Sequence, residues 1–156
     1  MQGGAVVTLP APMDFIPVLQ RAGTVVPLQT RLRRSASQMK HDPFTLRVIA
    51  DAEGRAVGRV FHDARDGYGY EQGEFADMEV TLDANVLANK RLAGTMQAAN
   101  TIERIVLRIG RVPTAIEIEV AGVRRAAQFI VDKELMEITI RKPEIRVTEE
   151  WKIVIQ

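Results

Sequence analysis

The residues best suited to chemistry lie in one glycine-rich stretch, Phe61-His62-Asp63-Ala64-Arg65-Asp66-Gly67-Tyr68-Gly69-Tyr70-Glu71-Gln72-Gly73-Glu74-Phe75. Three readings fit it. The structural one is a hairpin connection in which Asp side chains accept from nearby backbone N–H groups and the tyrosines cover a sheet edge. A second is a sugar-binding platform, with Tyr68 or Tyr70 stacking on a pyranose ring and Asp63, Arg65 or Asp66 bonding its hydroxyls. A third is a calcium site from Asp63, Asp66 and Glu71, although calcium takes six or more oxygens and the alternating carboxylates of an EF-hand loop are missing. His62 precedes Asp63 directly, and neighbours on a strand point to opposite faces, so the two do not make a dyad.

Other chemistries lack their residues. The sequence has no cysteine, hence no disulfide frame, thiolate nucleophile or cysteine-ligated metal. Gly67-x-Gly69 has no third glycine at dinucleotide spacing and opens no helix; Gly-x-Ser-x-Gly and Walker sequences are missing as well. We therefore expect no catalytic residue, no metal site and no cofactor. A net charge of +1 supplies no field toward nucleic acid or membrane. The basic run Arg31, Arg33, Arg34 and Lys40 has no interleaved aromatic residue, so it reads as a solvated connector, or else as a contact for an anion or acidic partner, before a nucleic-acid patch. No apolar run approaches the ~20 residues of a membrane-spanning helix, and the opening residues do not read as a signal peptide.

The elements that must carry these residues are strands. Phe75–Asp83 alternates most cleanly, with Ala76, Met78, Val80 and Leu82 on one face and Asp77, Glu79, Thr81 and Asp83 on the other. Strands are expected near Ala5–Leu9, Ile16–Leu19 and Thr24–Leu28, the last two around an Arg21-Ala22-Gly23 turn. Further strands are expected near Thr45–Ala50, Ala56–His62, Val86–Ala88, Arg104–Ile109, Ala115–Val120, Ala127–Val131, Met136–Arg141, Glu144–Val147 and Trp151–Ile155. Phe61 is taken as a candidate core residue, and Lys90–Thr101 as a loop with room for a short helical turn. Short strands with turn residues between them and no helical period indicate an all-β Greek-key or jelly-roll β-sandwich.

The order of several motifs resembles the region that follows the catalytic barrel in glycoside hydrolase family 31, the α-glucosidase family. Ile16-Pro17-Val18-Leu19-Gln20-Arg21-Ala22-Gly23-Thr24-Val25-Val26-Pro27 is similar to that family's Ile-Pro-Val-x-x-Arg-Gly-Gly-x-Ile-Ile-Pro, with Ala22 in place of the first glycine. An alanine there would be strained if the turn required positive φ. Val7-Thr8-Leu9-Pro10-Ala11-Pro12-Met13 resembles the strand that leads in. Arg31-Leu32-Arg33-Arg34-Ser35 with Met39-Lys40-His41-Asp42-Pro43, the strands from Phe44 and Gly54, Arg141-Lys142-Pro143 and Trp151–Ile155 resemble the glucosidase II α-subunit type. Asp63 matches the first residue of the family's Asp-Asp-Gly, whereas Ala64 and Arg65 depart from it.

The resemblance implies residues 1–29 as the tail of a proximal β-domain, 30–43 as a linker and 44–156 as a distal β-sandwich. It implies a non-catalytic region that packs on a barrel in the same polypeptide. For the parent protein it implies hydrolysis of α-linked glucose on N-glycans in the endoplasmic reticulum lumen, with a glucosidase II β-subunit as a further partner. Family 31 enzymes use two carboxyl groups, the nucleophile within Trp-x-Asp-Met-Asn-Glu. Phe75-Ala76-Asp77-Met78-Glu79 imitates that motif without its Trp and Asn, and Asp77 is expected to be a solvated strand carboxylate. A barrel needs ~250 residues of repeating βα units, more than this chain has. The alternatives are a stand-alone carbohydrate-binding jelly roll and an adaptor sandwich whose edge strand pairs with a protein.

Overall fold

The computed structural model describes residues 4–156. Its strands are β1 (Thr24–Leu28), β2 (Phe44–Ile49), β3 (Ala56–Asp63), β4 (Phe75–Asp83), β5 (Val86–Ala93), β6 (Thr101–Arg108), β7 (Ile116–Val120), β8 (Val123–Ala126), β9 (Phe129–Asp132), β10 (Glu137–Arg146) and β11 (Trp151–Ile155). They form one continuous sheet in the order β8-β7-β11-β5-β4-β3-β1-β2-β6-β10-β9. The sheet curls so that both limbs turn one face onto a shared core, making the all-β sandwich that the alternation predicts. Arg125 of β8 donates to the backbone carbonyl of Pro143 in β10, which ties together strands from opposite ends of the order.

The core follows from period-two patterning. On β4 the residues Ala76, Met78, Val80 and Leu82 are all buried, as are Leu46 and Val48 on β2, Ile105 and Leu107 on β6, and Ile153 and Ile155 on β11. Full burial of each large aliphatic side chain stabilises the fold by about 1.5–3 kcal/mol. Adjacent antiparallel strands are joined by tight turns. Ala84 (φ 45°) and Asn85 (φ 67°) connect β4 to β5, and Ala121 (φ 49°) and Gly122 connect β7 to β8. Two successive left-handed residues match the twist of a two-residue hairpin.

β1 lies mid-order, antiparallel to β2 and parallel to β3. The approach to β3 is close: a Cβ on Gly58 would stand 2.0 Å from the carbonyl oxygen of Val25. Only glycine fits there.

Several expectations are corrected. Ala5–Leu9 and Ile16–Leu19 form no strand; Pro10, Pro12 and Pro17 remove N–H donors, and Val6, Val7, Ile16, Val18 and Leu19 stand exposed. Ala22 is not left-handed; Gly23 takes the positive φ (79°), so the departure from the glycine pair causes no strain. Strand β5 continues to Ala93, and 94–100 is irregular with no helical turn. Met136–Arg141 and Glu144–Val147 merge into one bulged strand, β10, with Lys142 (φ 46°) and Glu144 (φ 52°) at the irregularity. Val123–Ala126 is a strand that the sequence pattern did not indicate, because its residues lie mostly exposed at the sheet edge. Phe61 is exposed rather than in the core.

Candidate functional site

β3 and β4 are antiparallel neighbours, from Ala56 opposite Leu82 to Asp63 opposite Phe75. The candidate loop is their connection, so both of its ends are pinned by the sheet. A 3₁₀ turn, Gly69–Gln72, closes it, and left-handed Gly73 returns its N–H to the carbonyl of Tyr70 at 3.1 Å.

The predicted site residues separate into two groups. Asp63 Oδ1 accepts from the Arg65 backbone N–H at 2.9 Å, which supports the left-handed conformation of Arg65 (φ 66°). The Arg65 guanidinium then reaches away from the loop tip, donating to Gln29 Oε1 at 2.7 Å and to the Ala36 carbonyl at 3.2 Å. Asp63 and Arg65 therefore hold the loop to the segment at 29–36. Tyr68, Tyr70 and Asp66 remain outward. Tyr68 is 73% and Tyr70 42% exposed, with ring centroids 6.3 Å apart and planes inclined by 56°. They do not make one flat platform. Asp63, Asp66 and Glu71 do not converge on a common point that could hold a metal ion.

His62 turns to the other side of β3, into the interior, and meets the Phe44 ring edge-on at 6.0 Å. Burial pushes its pKa down, the positive charge of Arg65 pushes it further, and Asp63 opposes both. The segment 30–43 is held by specific bonds rather than freely solvated. Arg33 Nε donates to Asp42 Oδ2 at 2.9 Å, and this hydrogen-bonded guanidinium holds the buried Asp42 carboxyl below its usual range. Asn100 donates to the carbonyls of Lys40 and Asp42, Gln29 to those of Met39 and Asp42, and Arg31 bonds Glu103.

Asp77 is buried, not solvated: Arg59 covers it with a two-pronged ion pair that includes Nε to Oδ1 at 3.1 Å. Beside this pair the rings of Phe61 and Phe75 stack at 5.2 Å and 22°. Sequence reasoning missed this outward group because a Phe within a strand is ordinarily assigned to the core. Val57, Arg59 and Phe61 share the face opposite Val60 and His62, and that alternation was the available signal.

No family model matches the chain. It is 32% identical over 152 residues to neutral alpha-glucosidase AB of Dictyostelium discoideum, a match covering 95% of this chain and 16% of that protein. Its fold superposes on a crystal structure of glucosidase II alpha subunit with a TM-score of 0.81 at 26% identity, over 95% of this chain and 18% of the other. It superposes on the ER glucosidase II heterodimeric complex of catalytic subunit and regulatory-subunit binding domain with a TM-score of 0.79 at 26% identity, over 94% and 18%. The curled sheet, its motif order and these matches show that the chain resembles a C-terminal β-region of glycoside hydrolase family 31. Within it, the chain is similar to the glucosidase II α-subunits and neutral α-glucosidases, and it spans less than a fifth of their length.

Proposed function

We propose that the chain is a non-catalytic C-terminal region of an α-glucosidase, which packs on and steadies a catalytic barrel in the same polypeptide. The observation that carries this reading is the lopsided match: nearly all of this chain aligns with under a fifth of its relatives. Residues 1–29 would end the proximal β-domain, with β1 shared into the following sheet, 30–43 would be the linker and 44–156 the distal sandwich. Exposed Met13, Ile16, Val18 and Leu19 supply apolar surface for such packing. Asp77, sealed beneath Arg59, is unsuited to act as a nucleophile.

The parent's finer role follows the glucosidase II relatives. It would trim α-linked glucose from N-glycans in the endoplasmic reticulum lumen, with a regulatory β-subunit as partner. An antibody against this chain tests the proposal in the source cell. It should precipitate a polypeptide several times larger than 17.4 kDa together with α-glucosidase activity. A native band near 17.4 kDa without activity would overturn it.

The exposed tyrosines support a second reading, sugar binding at the loop, with Tyr68 or Tyr70 stacking and Asp66 accepting hydroxyls while Asp63 and Arg65 keep the loop in place. Saturable quenching of tyrosine fluorescence by an oligosaccharide, lost in Tyr68→Ala plus Tyr70→Ala, would support it. An unchanged spectrum would remove it.

A further inference from the structure

The outward face of β3 and β4 joins an exposed aromatic surface to a fixed polar fork. Phe61 is 57% exposed although it sits within a strand, and its stack on Phe75 keeps the ring from turning freely. Phe75 is itself backed by main chain: a Cβ on Gly94 would lie 1.9 Å from the Phe75 carbonyl oxygen and 2.8 Å from Cδ2 of its ring. Two residues back from Phe61 along β3, Arg59 lays Nε and Nη2 on the Asp77 carboxylate. A guanidinium has five N–H donors, and the ion pair uses two; the rest project from a side chain that is 61% exposed. Glu79 stands opposite Arg59 in the strand register and adds acceptor oxygens.

We propose that this face is a carbohydrate-binding surface that takes a neutral hexose unit of an oligosaccharide. The C–H face of the ring would lie on Phe61, and its hydroxyls would bond the free N–H groups of Arg59 and the Glu79 carboxylate. The charge arrangement selects this class. An anion would meet Glu79 beside a guanidinium whose charge Asp77 already balances, and a cation would meet Arg59. A purely apolar partner would strip water from the Arg59 donors without replacing their bonds. A sugar offers a flat apolar face and hydroxyls that both donate and accept. The site uses Phe61 and Phe75 rather than Tyr68 and Tyr70, and it does not depend on the chain being part of a glucosidase.

Maltotriose titrated into the isotope-labelled 156-residue chain tests this by backbone and Arg Nε chemical shifts, with sorbitol as a control that has hydroxyls but no ring face. The expected result is saturable shifts at Arg59, Phe61 and Phe75 with a Kd in the millimolar range, weakened about tenfold or more in Phe61→Ala and largely kept in Phe61→Tyr. An exposed position lets the Phe61→Ala variant fold, and its unchanged dispersed spectrum checks this. No saturable shift, an equal response to sorbitol, or shifts confined to Tyr68 and Tyr70 would each overturn the proposal. So would sugar-independent broadening that grows with protein concentration and disappears in Phe61→Ala, since that would mark the face as a contact between copies.

Discussion

Residues 75–83 and residues 6–19 carry similar apolar side chains to opposite ends. In β4, Ala76, Met78, Val80 and Leu82 alternate with polar residues, so one face of one strand buries all four. In the earlier segment Val6, Val7, Met13, Ile16, Val18 and Leu19 stand exposed, and Ile16 is 83% so. The prolines of that segment cannot donate to a neighbouring strand, and without pairing the chain does not lay its side chains along a sheet face. Apolar character thus became stability only where a ladder of backbone hydrogen bonds aligned it.

Paired substitutions can break this comparison. Ile153→Ala, at a fully buried position, should cost about 2–5 kcal/mol in urea unfolding, whereas Ile16→Ala should cost below about 0.5 kcal/mol. Equal costs would mean that residues 6–19 pack onto the sheet in solution. Gly58→Ala should lose about 1–3 kcal/mol, because the new methyl meets the Val25 backbone and β1 must move away from β3. A neutral result in the thermal melt would show that β1 is held more loosely than its pairing implies.

Phe61→Ala should cost only about 1 kcal/mol, the scale of its stack on Phe75 rather than of a core phenylalanine. A loss of ~3–5 kcal/mol would instead put Phe61 inside. At the β4–β5 turn, Ala84→Gly should raise stability by about 0.5–1 kcal/mol, since alanine is strained at φ 45° and glycine is not. Lower stability would mean that the turn relaxes out of the left-handed region in solution.

The gentlest effect is that of His62. Its folded-state pKa is lowered, so the unfolded chain takes up the proton first. Its contribution is complete above the ordinary histidine range, declines as pH falls through that range, and levels off below the depressed folded value. His62→Gln should flatten this part of the stability–pH curve; an unchanged slope would place the titrating group elsewhere.

The fold was readable where alternation was strict. Phe75–Asp83 and Trp151–Ile155 form strands over the residues expected, and the all-β sandwich follows from their spacing. Legibility failed where one strand has side chains of similar character on both faces. Val57, Val60 and Phe61 are all apolar, and only the neighbouring strands β4 and β1 decide that Val60 is inside and Phe61 outside. It failed again at edges: β8 has little to bury, so hydropathy does not mark it. For the site, the sequence marked the tyrosines and aspartates of one loop. It could not show that Arg65 would be occupied by Gln29 and Ala36, contacts made across 36 and 29 positions of chain.

By itself the sequence determined the class of the molecule: period-two patterning sets strands with one wet and one dry face, and motif order carries the resemblance to family 31. Tertiary structure decided which apolar surfaces stay outside, that Asp77 lies beneath Arg59, and that β1 joins the two limbs of the sheet. Those outcomes depend on pairings between strands distant in the chain. Local composition selects a strand, but only the neighbour across the ladder selects the face that it buries.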